Sequence, residues 1–486
     1  MQPSFSIIAK KNNKSYHVLI KDKNWCKIRI IMTIKLHNTL TGKIEPFKPI
    51  KKPARIYACG PTVYDFAHVG NLRSYITWDI LRRTLKTAGI KTKMAMNITD
   101  VGHLTSDADV GEDKIEKGAE RENKTAWEIA KYYEKAFFED LSDLNIEKPD
   151  IICRATDHIK EQIKLIQKIQ KNGFAYITSD GVYFDTAKLP SYGQLANLKN
   201  QKLRAGARID LGEKRNPTDF ALWKFTAPDK TRQMEWKSPW GKGFPGWHVE
   251  CSAMSAKYLG IPFDIHCGGI DHIPVHHTNE IAQTEAVEGV IPAKVWLHNE
   301  FLTFGQDKMS KSSGGFVTLR ELKEKNIDPI SYRYFVLQTH YRKQLAFGFE
   351  ALESAKNGLK HLYSAVLALP AKKVKDEEKI KENFWASVAD DLDTPGALSI
   401  MWKALKEKSI SQKTALEFDK ILGLKIKENL TKPIQKIDKN ILAIVKERDL
   451  ARTQKDWAKS DRLRAELEAQ DFLVMDSPEG TKIQKK

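Results

Sequence analysis

The sequence predicts an α/β nucleotide-binding fold followed by an α-helical bundle, and three stretches carry that expectation. The first is Arg55-Ile-Tyr-Ala-Cys-Gly-Pro, an apolar strand ending at Cys59 that turns at Gly60-Pro61. It leads into a helix near Gly70 with apolar residues at Ile76, Ile80, Leu81 and Leu85. Strand, glycine loop and helix N-terminus form the edge of a sheet that binds phosphate on exposed backbone N–H groups. The second stretch runs from Glu250 to Val287. It reads as a helix to Leu259, a short buried strand from Pro262 to Cys267, a turn at Gly268-Gly269 and a second helix from His276. The third begins at Tyr332, where Ala386 to Leu405 and Ile441 to Ala469 have the spacing of amphipathic bundle helices.

A chain of 486 residues has room for about three domains, each with its own core. The net charge of +18 on ordinary hydrophobic content (41%) calls for a polyanionic partner, nucleic acid ahead of a membrane surface. No apolar run approaches membrane-spanning length. Five widely spread cysteines argue against a disulfide framework and for a reducing cytoplasm. Residues 1–31 stand apart, with seven Lys/Arg against one acid and no helical or alternating period. They read either as a basic, disordered arm on nucleic acid or as sequence upstream of a true start at Met32, and the second reading is preferred.

Between Trp247 and Glu280 the chain concentrates His248, His266, His272, His276 and His277, five of its thirteen histidines, with Cys251, Cys267 and Asp271. His276 and Glu280 stand at i and i+4, so on a helix both leave one face a turn apart. Such a pair grips a metal ion, and the Cys251 thiolate adds a third donor of a kind that suits Zn²⁺. Any one of these histidines also fits a helix cap or a satisfied buried polar group; the cluster is what favours metal. A fourth ligand must come from elsewhere. Cys59, at the C-terminal edge of its strand, is so placed, although a lone cysteine in a strand is more often buried filler.

His68-Val-Gly-Asn71 is a weak match by itself, and Lys308-Met-Ser-Lys-Ser312 by itself could be a solvated charge run. Together they resemble the two signatures of class I aminoacyl-tRNA synthetases. Cys59-Gly-Pro-Thr-Val-Tyr-Asp, Pro245-Gly-Trp-His-Val-Glu-Cys-Ser and His276-His-Thr-Asn-Glu are similar to the cysteine-specific branch of that family, and the likeness extends from about Met32 to Thr481. It implies a Rossmann-like catalytic domain in two halves, 32–119 and 245–300, split by a connective insertion at 120–244. A Lys308-loop and stem-contact region follows at 301–345, then a helical domain that reads the anticodon arm at 346–486. The basic stretch Lys202-Leu-Arg-Ala-Gly-Ala-Arg208 could lie along an acceptor stem or be a solvated face.

The resemblance further implies ATP, carried with Mg²⁺, L-cysteine and tRNA(Cys) as substrates, and cysteinyl-adenylate as the intermediate. His68 and Asn71 would contact the ATP phosphates, and Lys308 and Lys311 would stabilise charge on the leaving pyrophosphate. Asp271 would lie near the ribose or the amino group, while Thr62, Trp247 and His266 would line the amino-acid pocket. One Zn²⁺ per chain would be held by Cys59, Cys251, His276 and Glu280. The expected protein is a cytoplasmic monomer with no membrane contact. Asn71 stands where the class often has histidine, Thr278 where glutamate is frequent and Cys267 where glycine is common, so the role of Cys267 stays open. Two other readings fit parts of the sequence: a ligase passing activated cysteine to a small-molecule amine, and a zinc-stabilised nucleic-acid-binding protein without catalysis.

Overall fold

A computed structural model describes residues 10–12, 15–18, 29–31, 33–102, 113–198, 213–227, 232–304, 307–308, 317–431, 439–470, 472–477 and 480–485. The basic stretch at 202–208 lies outside them, as does Lys311. The described residues form two compact units, Met1–Ile426 and Lys427–Lys486.

The first unit is built on five parallel strands: β1 (Ala54–Ala58), β2 (Thr92–Ile98), β3 (Ile151–Arg154), β4 (Phe263–Gly269) and β5 (Ala293–Asn299), in the order β5-β4-β1-β2-β3. Their apolar runs are buried on both faces, as a parallel sheet covered by helices requires. Helix α1 (Val69–Thr87) links β1 to β2. Helix α2 (Trp247–Leu259) precedes β4, and α3 (Thr278–Glu288) links β4 to β5. The strand order reverses between β1 and β4, and in open α/β sheets ligands bind at that switch point beyond the strands' C-terminal ends.

Strand β3 falls inside the expected insertion at 120–244, yet it pairs in parallel with β2 in the central sheet. Four residues, Ile-Ile-Cys-Arg, are too short a run to announce a sheet position; pairing decides it. The segment that departs from the sheet is an antiparallel one between Ala175 and Pro245. Within residues 1–31, for which a disordered arm is one of the two readings above, Lys10–Asn12, Ser15–Val18 and Arg29–Ile31 form three short strands in a sheet of their own. Backbone ladders of this kind need no apolar period.

Asp79 of α1 and Arg333 of the helix Pro329–Leu337 are fully buried 2.6 Å apart. Arg333 Nε also donates to Leu422 O at 2.7 Å, which ties the helices Pro329–Leu337 and Gln412–Leu422 to α1. Within the expected 346–486 domain, the helices from Phe349 to Leu422 belong to the first unit. The second unit has helices Lys439–Thr453 and Trp457–Ala469 and a hairpin of Phe472–Ser477 with Gly480–Lys485. Among the described residues no helix is long and apolar enough to cross a membrane.

Candidate active site

Cys59 follows β1 directly, and its N–H donates to Cys267 O of β4 at 3.1 Å, so it sits at the switch point. Space dictates the next residue. A Cβ on Gly60 would fall 1.6 Å from Asn97 O, and the Gly60 N–H donates instead to Asn97 Oδ1 at 2.8 Å. On β4, a Cβ at Gly268 would fall 2.4 Å from His277 Cε1, so glycine lets the imidazole lie against the backbone.

Helix α2 brings in the buried Cys251. After Gly269 the chain passes through a short turn, Ile270–His272, and a five-residue π-helical turn, Ile273–His277, before α3. The regular helix expected from His276 therefore begins only at Thr278. Pro274 has no N–H to give, and Thr278 Oγ1 donates to Ile273 O at 2.7 Å. Wide turns of this kind are frequent at functional sites. His276 Nε2 and Glu280 Oε1 still meet, 3.1 Å apart.

The ligand atoms of Cys59, Cys251, His276 and Glu280 lie within 4.8 Å of one another, and all four residues are buried. A second set, Cys59, His266, His277 and Glu280, passes the same measure. Glu280 Oε2 lies 2.9 Å from His266 Nε2, whereas the buried Oε1 has His276 Nε2 beside it at 3.1 Å without a well-directed hydrogen bond. Burial opposes the charge on Glu280, but His266 and His276 hold its carboxyl down at about 2. Burial also opposes a charged His276, which Cys251 and Glu280 hold up at about 10. Burial pushes the Cys59 thiol up to about 11, a contact with Cys251 only partly offsetting it, and pushes Cys251 well above its ordinary range. The pocket thus keeps a carboxylate ionised and calls for positive charge at its centre. Two sulfurs, a ring nitrogen and a buried carboxylate oxygen fit a thiophilic divalent cation, beside which the thiols ionise.

His68 and Asn71 cap α1: the Asn71 N–H donates to His68 Nδ1 at 3.2 Å and the His68 N–H to Asn71 Oδ1 at 3.3 Å. The Val69 N–H donates to Val317 O at 2.8 Å and His68 bridges to Thr318, so the chain at Val317 and Thr318 lies beside the cap. At its upstream end the Lys308 backbone pairs with Thr303. Thr62 bridges to Thr99 at the end of β2, and the exposed Asp271 lies in the turn after β4. The Trp247 ring lies 4.2 Å from that of His276. His266 is wholly buried, stacked on Trp296 at 4.6 Å, and so lies beneath the cluster. Cys267 is buried and joins neither ligand set.

The structure also recruits residues to which sequence reasoning gave no role. His248 Nδ1 lies 3.0 Å from His276 Nδ1. His277 Nε2 lies 3.3 Å from Cys59 Sγ, its Nδ1 lies 2.7 Å from His298 Nε2, and His298 Nδ1 lies 2.8 Å from Thr39 Oγ1. His248 and His277 sit in the dense histidine stretch. His298 had one overlooked signal, its place at the end of an apolar strand, and Thr39 had none.

Residues 46–357 match the family model described as the tRNA synthetases class I (C) catalytic domain. The chain is 48% identical over 458 residues to a Burkholderia lata protein named cysteine–tRNA ligase 1, covering 93% of this chain and 97% of that one. It is 46% identical over 482 residues to a Treponema denticola cysteine–tRNA ligase, covering 92% and 98%. In fold it is similar to Mycobacterium tuberculosis methionyl-tRNA synthetase in complex with methionyl-adenylate, with a TM-score of 0.54 at 15% identity over 78% of this chain and 90% of that one.

Proposed function

The chain belongs to the cysteine–tRNA ligase family of class I aminoacyl-tRNA synthetases, and on that premise we propose that its buried Cys-Cys-His-Glu cluster binds Zn²⁺ and selects L-cysteine. The activity is ATP-dependent joining of L-cysteine to tRNA(Cys) through cysteinyl-adenylate. A ligase passing cysteine to a small-molecule amine is not supported, because the relatives that cover nearly the whole chain carry the tRNA ligase name.

The observation that carries the metal reading is the convergence of Cys59, Cys251, His276 and Glu280 within 4.8 Å. The competing set is disfavoured by His266. Its Nδ1 is buried without a partner, so a metal on Nε2 would strand an N–H there, and buried N–H groups are orphaned more rarely than acceptors. Donating Nε2–H to Glu280 Oε2 avoids that and leaves Oε1 for the ion. His276 has an outer partner in His248, as ligating histidines usually do. Zinc held there supplies a preference for a thiolate over a neutral hydroxyl, a distinction that an apolar pocket makes poorly.

The remaining roles fall to the protein. Trp247 walls the amino-acid side of the cluster and Thr62 borders it from the β1 loop. His68, Asn71 and the α1 N-terminus receive the phosphates of ATP with its Mg²⁺, and Asp271 lies toward the ribose or amino group. Lys308 and Lys311 neutralise the leaving pyrophosphate. Adenylation is in-line attack of a carboxylate on the α-phosphate, so positioning and charge neutralisation do most of the catalysis. The helices of the second unit are assigned to the anticodon arm. Four free cysteines among the described residues suit a reducing cytoplasm, and a monomer is the proposed state.

Elemental analysis with cysteine-dependent ATP–pyrophosphate exchange, run with and without a tRNA(Cys) transcript, tests this reading. One zinc per chain and exchange specific to cysteine are expected. A protein with no tightly bound metal that still prefers cysteine to serine overturns the zinc assignment. Deleting residues 1–31 should leave exchange intact, since among the described residues the strands there pair with one another and not with the central sheet. Any loss should fall on tRNA affinity and shrink as salt rises. A salt-independent loss of thermal stability would instead mean that the extension packs on the core.

A further inference from the structure

We infer that Thr39 and His298 are positioning residues for the metal site, aiming Nε2–H of His277 at Cys59 Sγ and keeping that ring out of the ligand set. The inference rests on the metal reading above. Its basis is one unbroken run of contacts: Thr39 Oγ1 to His298 Nδ1 at 2.8 Å, His298 Nε2 to His277 Nδ1 at 2.7 Å, and His277 Nε2 to Cys59 Sγ at 3.3 Å.

Both imidazoles are buried, and His277 Nδ1 and His298 Nε2 lie 2.7 Å apart, so one of these two nitrogens donates and the other accepts. With one proton between the rings the run admits two polarities. In one, His277 presents a lone pair at Nε2 and can join the set with His266. In the other, the Thr39 hydroxyl donates to His298, His298 Nε2–H donates to His277, and His277 Nε2–H donates to sulfur. A metal-bound Cys59 is a thiolate, which accepts hydrogen bonds and cannot donate one. The unpaired Nδ1 of His266 already weighs against the first arrangement. The second follows, and His277 serves Cys59 from outside the coordination shell.

The far end of the run is held firmly enough to do this. The Thr39 N–H donates to Trp296 O at 2.9 Å, and Asn38 Oδ1 accepts from the Trp296 N–H at 3.0 Å, so the hydroxyl is fixed to β5, the strand that carries His298. On the inner side the missing Cβ of Gly268 leaves His277 its place. Outer partners of this kind set ligand orientation and charge, and losing one typically costs about 10–100-fold in metal affinity or activity.

The test uses the full chain loaded with Co²⁺ in place of zinc. Thr39→Val removes the hydroxyl at nearly constant volume, and His298→Phe breaks the next link while keeping a ring. Both should shift the thiolate-to-cobalt absorption band and speed metal release to a chelator by about 10–100-fold. The KM for cysteine should rise with that for ATP unchanged. Thr39→Ser keeps the hydroxyl and should restore the wild-type band, which loss of packing alone would not permit. A wild-type band and release rate in both Thr39→Val and His298→Phe overturns the inference. Failure of the wild-type protein to take up cobalt overturns the metal reading itself.

Discussion

Cys251→Ser is expected to strip the protein of the proposed zinc and to raise the KM for cysteine far more than that for ATP. A serine hydroxyl stays neutral where the buried thiol ionises beside a cation, so the site loses one of its two soft donors and part of the charge that holds the ion. The loss should exceed the roughly 10–100-fold that follows removal of an outer-shell partner, because a direct ligand is gone. ATP is proposed to bind at the α1 cap and Lys308, away from these ligands, so its KM should hold. The control is Cys267→Ser: that sulfur joins neither ligand set, so zinc content and KM should both stay near wild type. Elemental analysis gives the first readout. The cobalt form gives the second: adding cysteine should produce a new sulfur-to-cobalt band that serine does not. Full zinc retention in Cys251→Ser would remove that residue from the ligand set.

Lys311→Ala slows adenylate formation by about 10²–10³-fold, the usual effect of removing one preorganised electrostatic donor. The lysine is proposed to act on charge that develops on the leaving pyrophosphate. Its loss should therefore appear in the rate of ATP–pyrophosphate exchange and leave equilibrium binding of cysteine nearly unchanged. Lys311 lies outside the described residues; further along the chain, Val317 and Thr318 are tied beside the α1 cap, which is where such charge would arise. A variant that forms adenylate at the normal rate takes Lys311 out of the mechanism.

Much of this was legible in the residues themselves. Apolar strands followed by glycine loops at Gly60 and Gly268-Gly269 can only be edges of a covered parallel sheet, since the backbone there needs both burial and room for a close approach. The convergence of Cys59, Cys251, His276 and Glu280 was readable because their chemistry is rare in combination and His276 and Glu280 keep a helical spacing. That spacing survived even though the local backbone is a π-helical turn.

Three features were settled by tertiary structure alone. Strand β3 lies in the central sheet because it pairs with β2, a long-range contact on which its four-residue sequence is silent. Either His276 or His277 could face the cysteines, since neighbours on a helix differ only by its rotation about its axis. Packing on Gly268, Trp296 and His298 turns His277 toward Cys59 from one side and leaves His276 beside Glu280. Thr39 and His298 come from segments that carry no motif. A hydroxyl and an imidazole gain their role here from being brought within hydrogen-bond reach, and only the folded chain does that.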